Sequence, residues 1–257
     1  MRQSSFADVF VGCGIATRNP EASIQTADSR SIGVASPLCF LRNDTPDRFV
    51  GTVTVSAVTL GTGKVTPLAT IAASVAAIGD EAEGSAQLFC PNGKALLGPS
   101  VSGATECGTF ASLLQLAPGC DPTSCYLDVR VQPSSPSSEP GRLPLYGRNE
   151  LLLAAPVQLK LPPITLTVEA TVAQATVASQ KDDGSVAVTV TADRIGVAAY
   201  VWLSTRAAGR FEPNGFMHGA GGAKQTEVRF VPFGQQPADL PTLRASVRVE
   251  HLGGHLA

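Results

Sequence analysis

Aromatic residues are scarce in this chain, at 5% of 257 residues with a single tryptophan. Valine, leucine and alanine must therefore fill most of any core. Charge is also scarce, at 16% with a net charge of -2. That balance offers no basic footprint for nucleic acid and no polybasic patch for a membrane surface. Long hydrophobic runs are missing, and the longest, such as residues 151–157, is far too short to span a bilayer. Cysteine is absent after Cys125. All six, Cys13, Cys39, Cys90, Cys107, Cys120 and Cys125, lie in the first half, which is the first indication of two domains.

The cysteine spacings lack the C-x2-C pairs and histidine partners of a zinc site, so no metal is assigned, and no cofactor. Two readings stand side by side. Cys13 and Cys39 lie on strand-like faces and read as small buried hydrophobes. Cys120 and Cys125 are close enough in sequence for a local disulfide in an oxidising compartment. At the N-terminus, Arg2 and the apolar stretch at 9–16 have elements of a signal peptide. Asp8 abuts that stretch, however, and Gly12 and Gly14 dilute it. The alternation of Val9, Val11, Cys13 and Ile15 with Phe10, Gly12 and Gly14 reads as a strand.

What is present in quantity is period-2 alternation. Ile164, Leu166, Val168, Ala170 and Val172 share one face, with threonine or glutamate on the other. Residues 186–192 and 52–58 repeat the pattern. Cys125, Leu127, Val129 and Val131 alternate with Tyr126, Asp128 and Arg130. Leu243, Ala245, Val247 and Val249 alternate with Arg244, Ser246 and Arg248. A strand half-buried against a partner sheet needs this pattern, because successive side chains point to opposite faces. Turn signals at Asn43-Asp44, Gly61-Thr62-Gly63, Asn92-Gly93, Asp183-Gly184 and 219–222 separate the runs. Short strands at this cadence indicate all-β sandwiches or barrels. The one helical candidate is short, at 110–116.

Two stretches read as loop excursions: 91–108, rich in glycine and small residues, and the Pro/Ser run at 132–141. The apolar run from Leu151 to Pro156 reads as the last strand of the first domain. The tandem Pro162-Pro163 cannot donate ladder hydrogen bonds, so the domain boundary is placed there, giving domains 1–161 and 162–257.

The second half resembles the C-terminal immunoglobulin-like domain of β-mannosidases, which are exo-acting glycoside hydrolases. The resemblance rests on the strand Tyr200-Val-Trp-Leu203 and the turn Gly209-Arg-Phe-Glu-Pro-Asn-Gly-Phe216. Glu212 stands where the family has serine. The strand from Thr226 to Phe230 and the closing strand from Ala245 to Leu252 add to it. The first half is similar to the preceding, carbohydrate-binding-module-like sandwich of those enzymes. Phe6 to Gly12, the turn at Phe40-Leu-Arg-Asn-Asp44 with the strand that follows, and Leu145 to Ala154 carry that likeness. The resemblance implies two tandem immunoglobulin-like antiparallel β-sandwiches, with the two excursions as insertions.

It also implies a mechanism that this chain does not itself carry. A retaining glycosidase places two carboxylates about 5–5.5 Å apart. In β-mannosidases both are glutamates on a TIM barrel, and a typical barrel needs about 250 residues. No catalytic residue is assigned here. Glu150, Glu169 and Glu250 read as solvated strand carboxylates. His218 lies in the glycine-rich turn and His255 in a frayed tail, with His251 between them. No G-x-S-x-G elbow precedes a helix, and the Gly219-Ala-Gly-Gly222 tip reads as a turn rather than a phosphate cradle.

Four residues are assigned a structural role. Trp202 reads as a core residue on a central strand. Phe211 and Phe216 bracket Asn214 and anchor the turn. Asn43-Asp44-Thr45 is both a glycosylation sequon and a hairpin turn. The expected function is a non-catalytic scaffold for an upstream β-mannosidase catalytic domain, whose parent reaction removes terminal β-D-mannose. A stand-alone carbohydrate-binding or adhesion module is the alternative, and glycan is its partner. The scarcity of rings weighs against it, because sugar platforms rely on stacking. The resemblance implies a lysosomal or extracellular location.

Overall fold

The computed structural model describes residues 9–16, 36–79, 86–93, 95–96, 107, 109–134, 147–171, 184–234 and 237–256. The chain divides into two compact units. The first takes in residues up to Thr59 and Val65–Leu159, the second Leu60–Lys64 and Lys160–Ala257.

The first unit contains strands β1 (Val9–Ala16), β2 (Ser36–Asn43), β3 (Phe49–Thr59), β4 (Val65–Val75), β5 (Ala86–Phe89) and β6 (Ala95–Leu96), helix α1 (Phe110–Leu114), and strands β7 (Cys125–Pro133) and β8 (Arg148–Leu152). They form two antiparallel sheets, ordered β1-β2-β5-β6 and β4-β3-β7-β8. Val9, Val11, Cys39, Leu41 and Phe89 from one sheet meet Val53, Val55, Ile71, Ala73, Val129 and Val131 from the other. This is a sandwich, and alternation built it: each inward residue is separated from the next by one that faces away.

The second unit contains β9 (Leu166–Thr171), β10 (Val186–Ala192), β11 (Ala198–Ser204), β12 (Gly209–Glu212), β13 (Phe216–His218), β14 (Gln225–Pro232), helix α2 (Leu240–Ser246), β15 (Arg248–Glu250) and helix α3 (Leu252–Leu256). Its sheets run β12-β14-β10-β9 and β13-β11-β15. Val186, Val188 and Val190 of β10, with Val228 and Phe230 of β14, pack on Val201, Leu203 and Phe216 of the other sheet. A fully buried valine of this kind contributes about 1.5–3 kcal/mol of transfer free energy.

Both units are all-β sandwiches, but several local readings change. The alternating run at 243–249 is not a strand over its length. Helix α2 occupies Leu240–Ser246, and only Arg248–Glu250 is extended. Asp239 decides this: its side chain accepts from the Thr242 N–H at 3.1 Å, and proline stands in the first turn, where its missing N–H costs nothing. Leu243 is buried while Ala245 is exposed. The last strand of the first unit also begins earlier than the apolar run suggests, at Arg148 rather than Leu151.

The alternation in β7 reads correctly for direction but not for burial. Tyr126 and Asp128, on the face away from the core, are both buried. The excursion at 91–108 is described only at 91–93, 95–96 and Cys107, and the one at 132–141 only at 132–134. Gln132 and Pro133 still belong to β7.

The cysteines pair as Cys13–Cys39, Cys90–Cys107 and Cys120–Cys125, leaving none free. The reading of Cys13 and Cys39 as mere buried hydrophobes is replaced. They are directly opposed on β1 and β2, a register that only the folded sheet reveals.

Candidate functional site

Among the described residues, each unit carries a carboxylate held by two arginines. In the first, β7 and β8 bring Asp128 opposite Glu150 and Arg130 opposite Arg148. Asp128 is 2% exposed and accepts from two arginines. Arg148 Nε reaches its Oδ1 at 2.6 Å and Nη2 its Oδ2 at 3.1 Å; Arg130 Nε reaches Oδ2 at 2.8 Å. Arg148 also bridges to Glu150 at 3.1 Å. Burial alone lowers the pKa of the Arg148 guanidinium. The Asp128 hydrogen bond and the charges of Glu150 and Asp128 outweigh it, so the group is held charged above its ordinary value.

Tyr126 lies on the same face, two residues along. Burial raises its phenol well above the usual range, reinforced by the Asp128 and Glu150 charges. Both oxygens of the Asp128 carboxylate are taken up by guanidinium donors. Chemically, this cluster pins β8 onto β7.

In the second unit the turn at 209–216 is built from the side chains singled out in the sequence. Phe211 and Phe216 are buried in the sandwich core, and Phe211 packs against Phe230 with ring centroids 5.2 Å apart. Asn214 Oδ1 accepts from the Leu203 N–H at 2.8 Å, and Asn214 Nδ2 donates to the Leu203 carbonyl at 3.1 Å. The amide thereby extends the edge of β13 along β11. Glu212 accepts from Arg210 at 2.7 Å and from Arg229 at 2.8 Å. Burial raises its pKa, but the two arginines outweigh that and hold it below the ordinary carboxylate value.

Trp202 is not a core residue. The register of β11 against β13 shifts between Ala198 and Val201, where Tyr200 has φ of 50°. This bulge inserts one residue, so Val201 and Leu203 turn inward and Trp202 outward. There its ring stacks on His255, with centroids 5.2 Å apart and planes 12° from parallel. His255 is therefore not in a frayed tail: α3 folds back to place it on Trp202, and its Nε2 lies 3.7 Å from Glu250. His251 Nε2 meets the Ile164 carbonyl at 3.0 Å. His218 is fully buried, with Nδ1 2.8 Å from Thr226 Oγ1. Its pKa is lowered by burial, only partly offset by a backbone hydrogen bond at Lys224.

Beside the His218 strand, Gly219 has φ of 96°, and a Cβ there would run into the Gly196 carbonyl oxygen. Glycine at this tip is set by that close approach. Glu169 is an exposed residue of β9. The candidate carboxylates thus divide between units and partners, with Glu150 on Arg148 and Glu250 beside His255. Among the described residues, no group of three His, Cys, Asp or Glu side chains is arranged to hold a metal. An open depression of about 390 Å³ is lined by Leu114, Ala117, Pro118, Cys120 and Asp121, among others. Asp121 is committed there to Thr123 and Ser124.

The sequon Asn43 is fully buried. Its Nδ2, the atom that a glycan would modify, donates to Asp47 O at 2.7 Å and Ala76 O at 3.0 Å. Its Oδ1 accepts from Thr45 N at 3.0 Å and Thr45 Oγ1 at 2.6 Å. The folded site is a turn with no room for a sugar.

The sandwich of β9–β15, with its Asn214 clasp, corresponds to a known domain family. Residues 165–254 match Ig_mannosidase, an Ig-fold domain. The Ig_mannosidase domain covers the whole of the second unit's two sheets. Among solved structures, the chain is similar to a β-D-mannosidase from Dictyoglomus thermophilum, at 16% identity with a TM-score of 0.51. The match covers 96% of this chain and 22% of that one. It also matches an exo-chitosanase from Amycolatopsis orientalis, at 16% identity with a TM-score of 0.40, over 84% of this chain and 24% of that one. The chain therefore spans about a fifth of the length of the β-D-mannosidase, and the likeness establishes the fold. No curated protein matches.

The register-dependent features had no signal in the sequence. The Asp128 cluster requires knowing that β7 and β8 pair across the intervening segment. The outward turn of Trp202 requires the bulge at Tyr200.

Proposed function

We propose that this chain is the non-catalytic β-sandwich region of a β-mannosidase, serving as scaffold for a TIM-barrel catalytic domain carried outside residues 1–257. The parent reaction is hydrolysis of terminal non-reducing β-D-mannose in glycans and glycoproteins. The match of residues 165–254 to the Ig_mannosidase family carries the reading. The carboxylates support it, because Asp128, Glu150 and Glu212 are each held by arginine rather than presented to a substrate. The three disulfides support a lysosomal or extracellular route, since such bonds persist in oxidising compartments.

The test is an assay of the purified chain on an aryl β-D-mannoside. The reading expects no turnover above buffer. Turnover proportional to the amount of this chain would overturn it.

A further inference from the structure

The outward face of the first unit's β1-β2-β5-β6 sheet carries an aromatic arrangement that the scaffold reading does not use. Phe10 and Gly12 of β1 lie opposite Arg42 and Phe40 of β2, and Phe40 lies opposite Leu88 of β5. Phe40 is 37% exposed, whereas Phe49 and Phe89 of the same unit are buried; in the second unit Phe233 is 59% exposed. Its ring is nevertheless fixed. The Cε1–Cζ edge crosses Gly12 so closely that a Cβ at that position would sit 2.7 Å from both atoms. Phe10 braces it edge-on, with centroids 5.5 Å apart and planes at 88°.

Glycine inside a strand costs roughly 0.5–1 kcal/mol relative to alanine and marks a close approach. Here that approach is the Phe40 ring. On one flank the Cys90–Cys107 disulfide packs on Leu38 and Leu88 and closes the apolar surface. On the other flank stands a polar pair, Arg42 Nε on Asp44 Oδ1 at 2.6 Å, both partly exposed.

The geometry points to a shallow subsite for one pyranose ring. The apolar C–H face of the sugar stacks on Phe40, and its hydroxyls reach the Arg42–Asp44 pair. A braced ring loses little conformational freedom on binding. A guanidinium has five N–H donors, and a carboxylate about four acceptor positions. That combination suits a ligand with one apolar face and a rim of hydroxyls. A protein partner fits less well. Among the described residues the patch centres on one ring, while a stable interface buries about 800 Å² on each side. The choice of mannosides as ligands rests on the scaffold reading, while a failed titration leaves the activity test of that reading untouched.

The test titrates the full chain with methyl β-D-mannopyranoside and with β-1,4-mannotriose, following the ring resonances of the phenylalanines by NMR. The expected result is weak saturable binding that moves Phe10 and Phe40. Phe40→Ala should weaken it at least roughly tenfold, Phe40→Tyr should retain it, and Arg42→Ala should reduce it. Thermal melts of each variant separate lost binding from lost folding. Three results overturn the assignment. One is that the two rings stay unmoved at the highest sugar concentration. Another is that Phe40→Ala binds as well as the parent chain. The third is that the rings shift only with protein concentration, which assigns the face to a second copy of the chain.

Discussion

Asn214 hydrogen-bonds both backbone groups of Leu203, accepting from its N–H at 2.8 Å and donating to its carbonyl at 3.1 Å. A side-chain amide here does what a strand neighbour would do, along the stretch of β11 where β13 has already turned away. Replacing it with alanine leaves two backbone groups of a buried residue to water. Asn214→Ala is expected to lower stability by about 1–2 kcal/mol. Asn214→Asp keeps the acceptor but sets a carboxylate oxygen against the Leu203 carbonyl, so it should lose at least as much. Urea denaturation followed by Trp202 fluorescence reads the change directly, because Trp202 is the only tryptophan.

The Asp128 cluster gives a larger effect. Its carboxylate is 2% exposed, while Arg148 is 33% and Arg130 47% exposed. Asp128→Ala strips the buried partner from two arginines. Breaking a buried pair on one side costs about 3–5 kcal/mol, and the partial exposure of both arginines puts the expected loss near about 3. Thermal unfolding of the variant should show the first unit melting at a clearly lower temperature. A melt that coincides with the parent would mean that the network contributes no net stability.

His218 sets a pH dependence with a definite sign. Burial lowers its folded-state pKa below the ordinary 6.5. The unfolded chain therefore takes up a proton first as the pH falls. Stability from this site is complete above about pH 6.5 and is lost progressively below it, toward the folded pKa. His218→Gln should flatten the loss between neutral and mildly acidic pH. The check is the urea midpoint of parent and variant at several pH values across that window.

Asn43 makes a prediction about modification. Its Nδ2 is buried against two carbonyls, so the folded chain secreted from a glycosylating host should carry no glycan at Asn43. Intact-mass measurement before and after glycosidase treatment should give the same value. Asn43→Ala should destabilise the first unit by about 1–3 kcal/mol, because the carbonyls of Asp47 and Ala76 lose their donor.

Much of the fold was legible in the sequence because both sandwiches rest on alternation. The run at 186–192 is buried at every second residue, and Val9–Ala16 forms a strand with Val9 and Val11 inward. The misreadings have separate physical causes. The run at 243–249 alternates, yet a capping carboxylate at Asp239 and a proline in the first turn start a helix that ends at Ser246. Alternation shows which way Tyr126 and Asp128 point but not that their face is buried. Trp202 was assigned to the core by its strand, and one bulged residue reversed the face. The partners of Cys13, Asp128 and His255 depend on register or on a returning helix, which local pattern does not encode. In the turn at 209–216, by contrast, Phe211, Asn214 and Phe216 were visible as a unit because all three act within one short stretch of chain.

The central claim is that these sandwiches belong to a larger glycosidase whose catalytic domain lies outside them. An antibody raised against this chain, used to blot native extract, tests it most directly. The account predicts a band several times heavier than the 26.4 kDa of this chain, co-purifying with aryl β-mannosidase activity. A single band at about 26.4 kDa, with no heavier species and no associated activity, would contradict it.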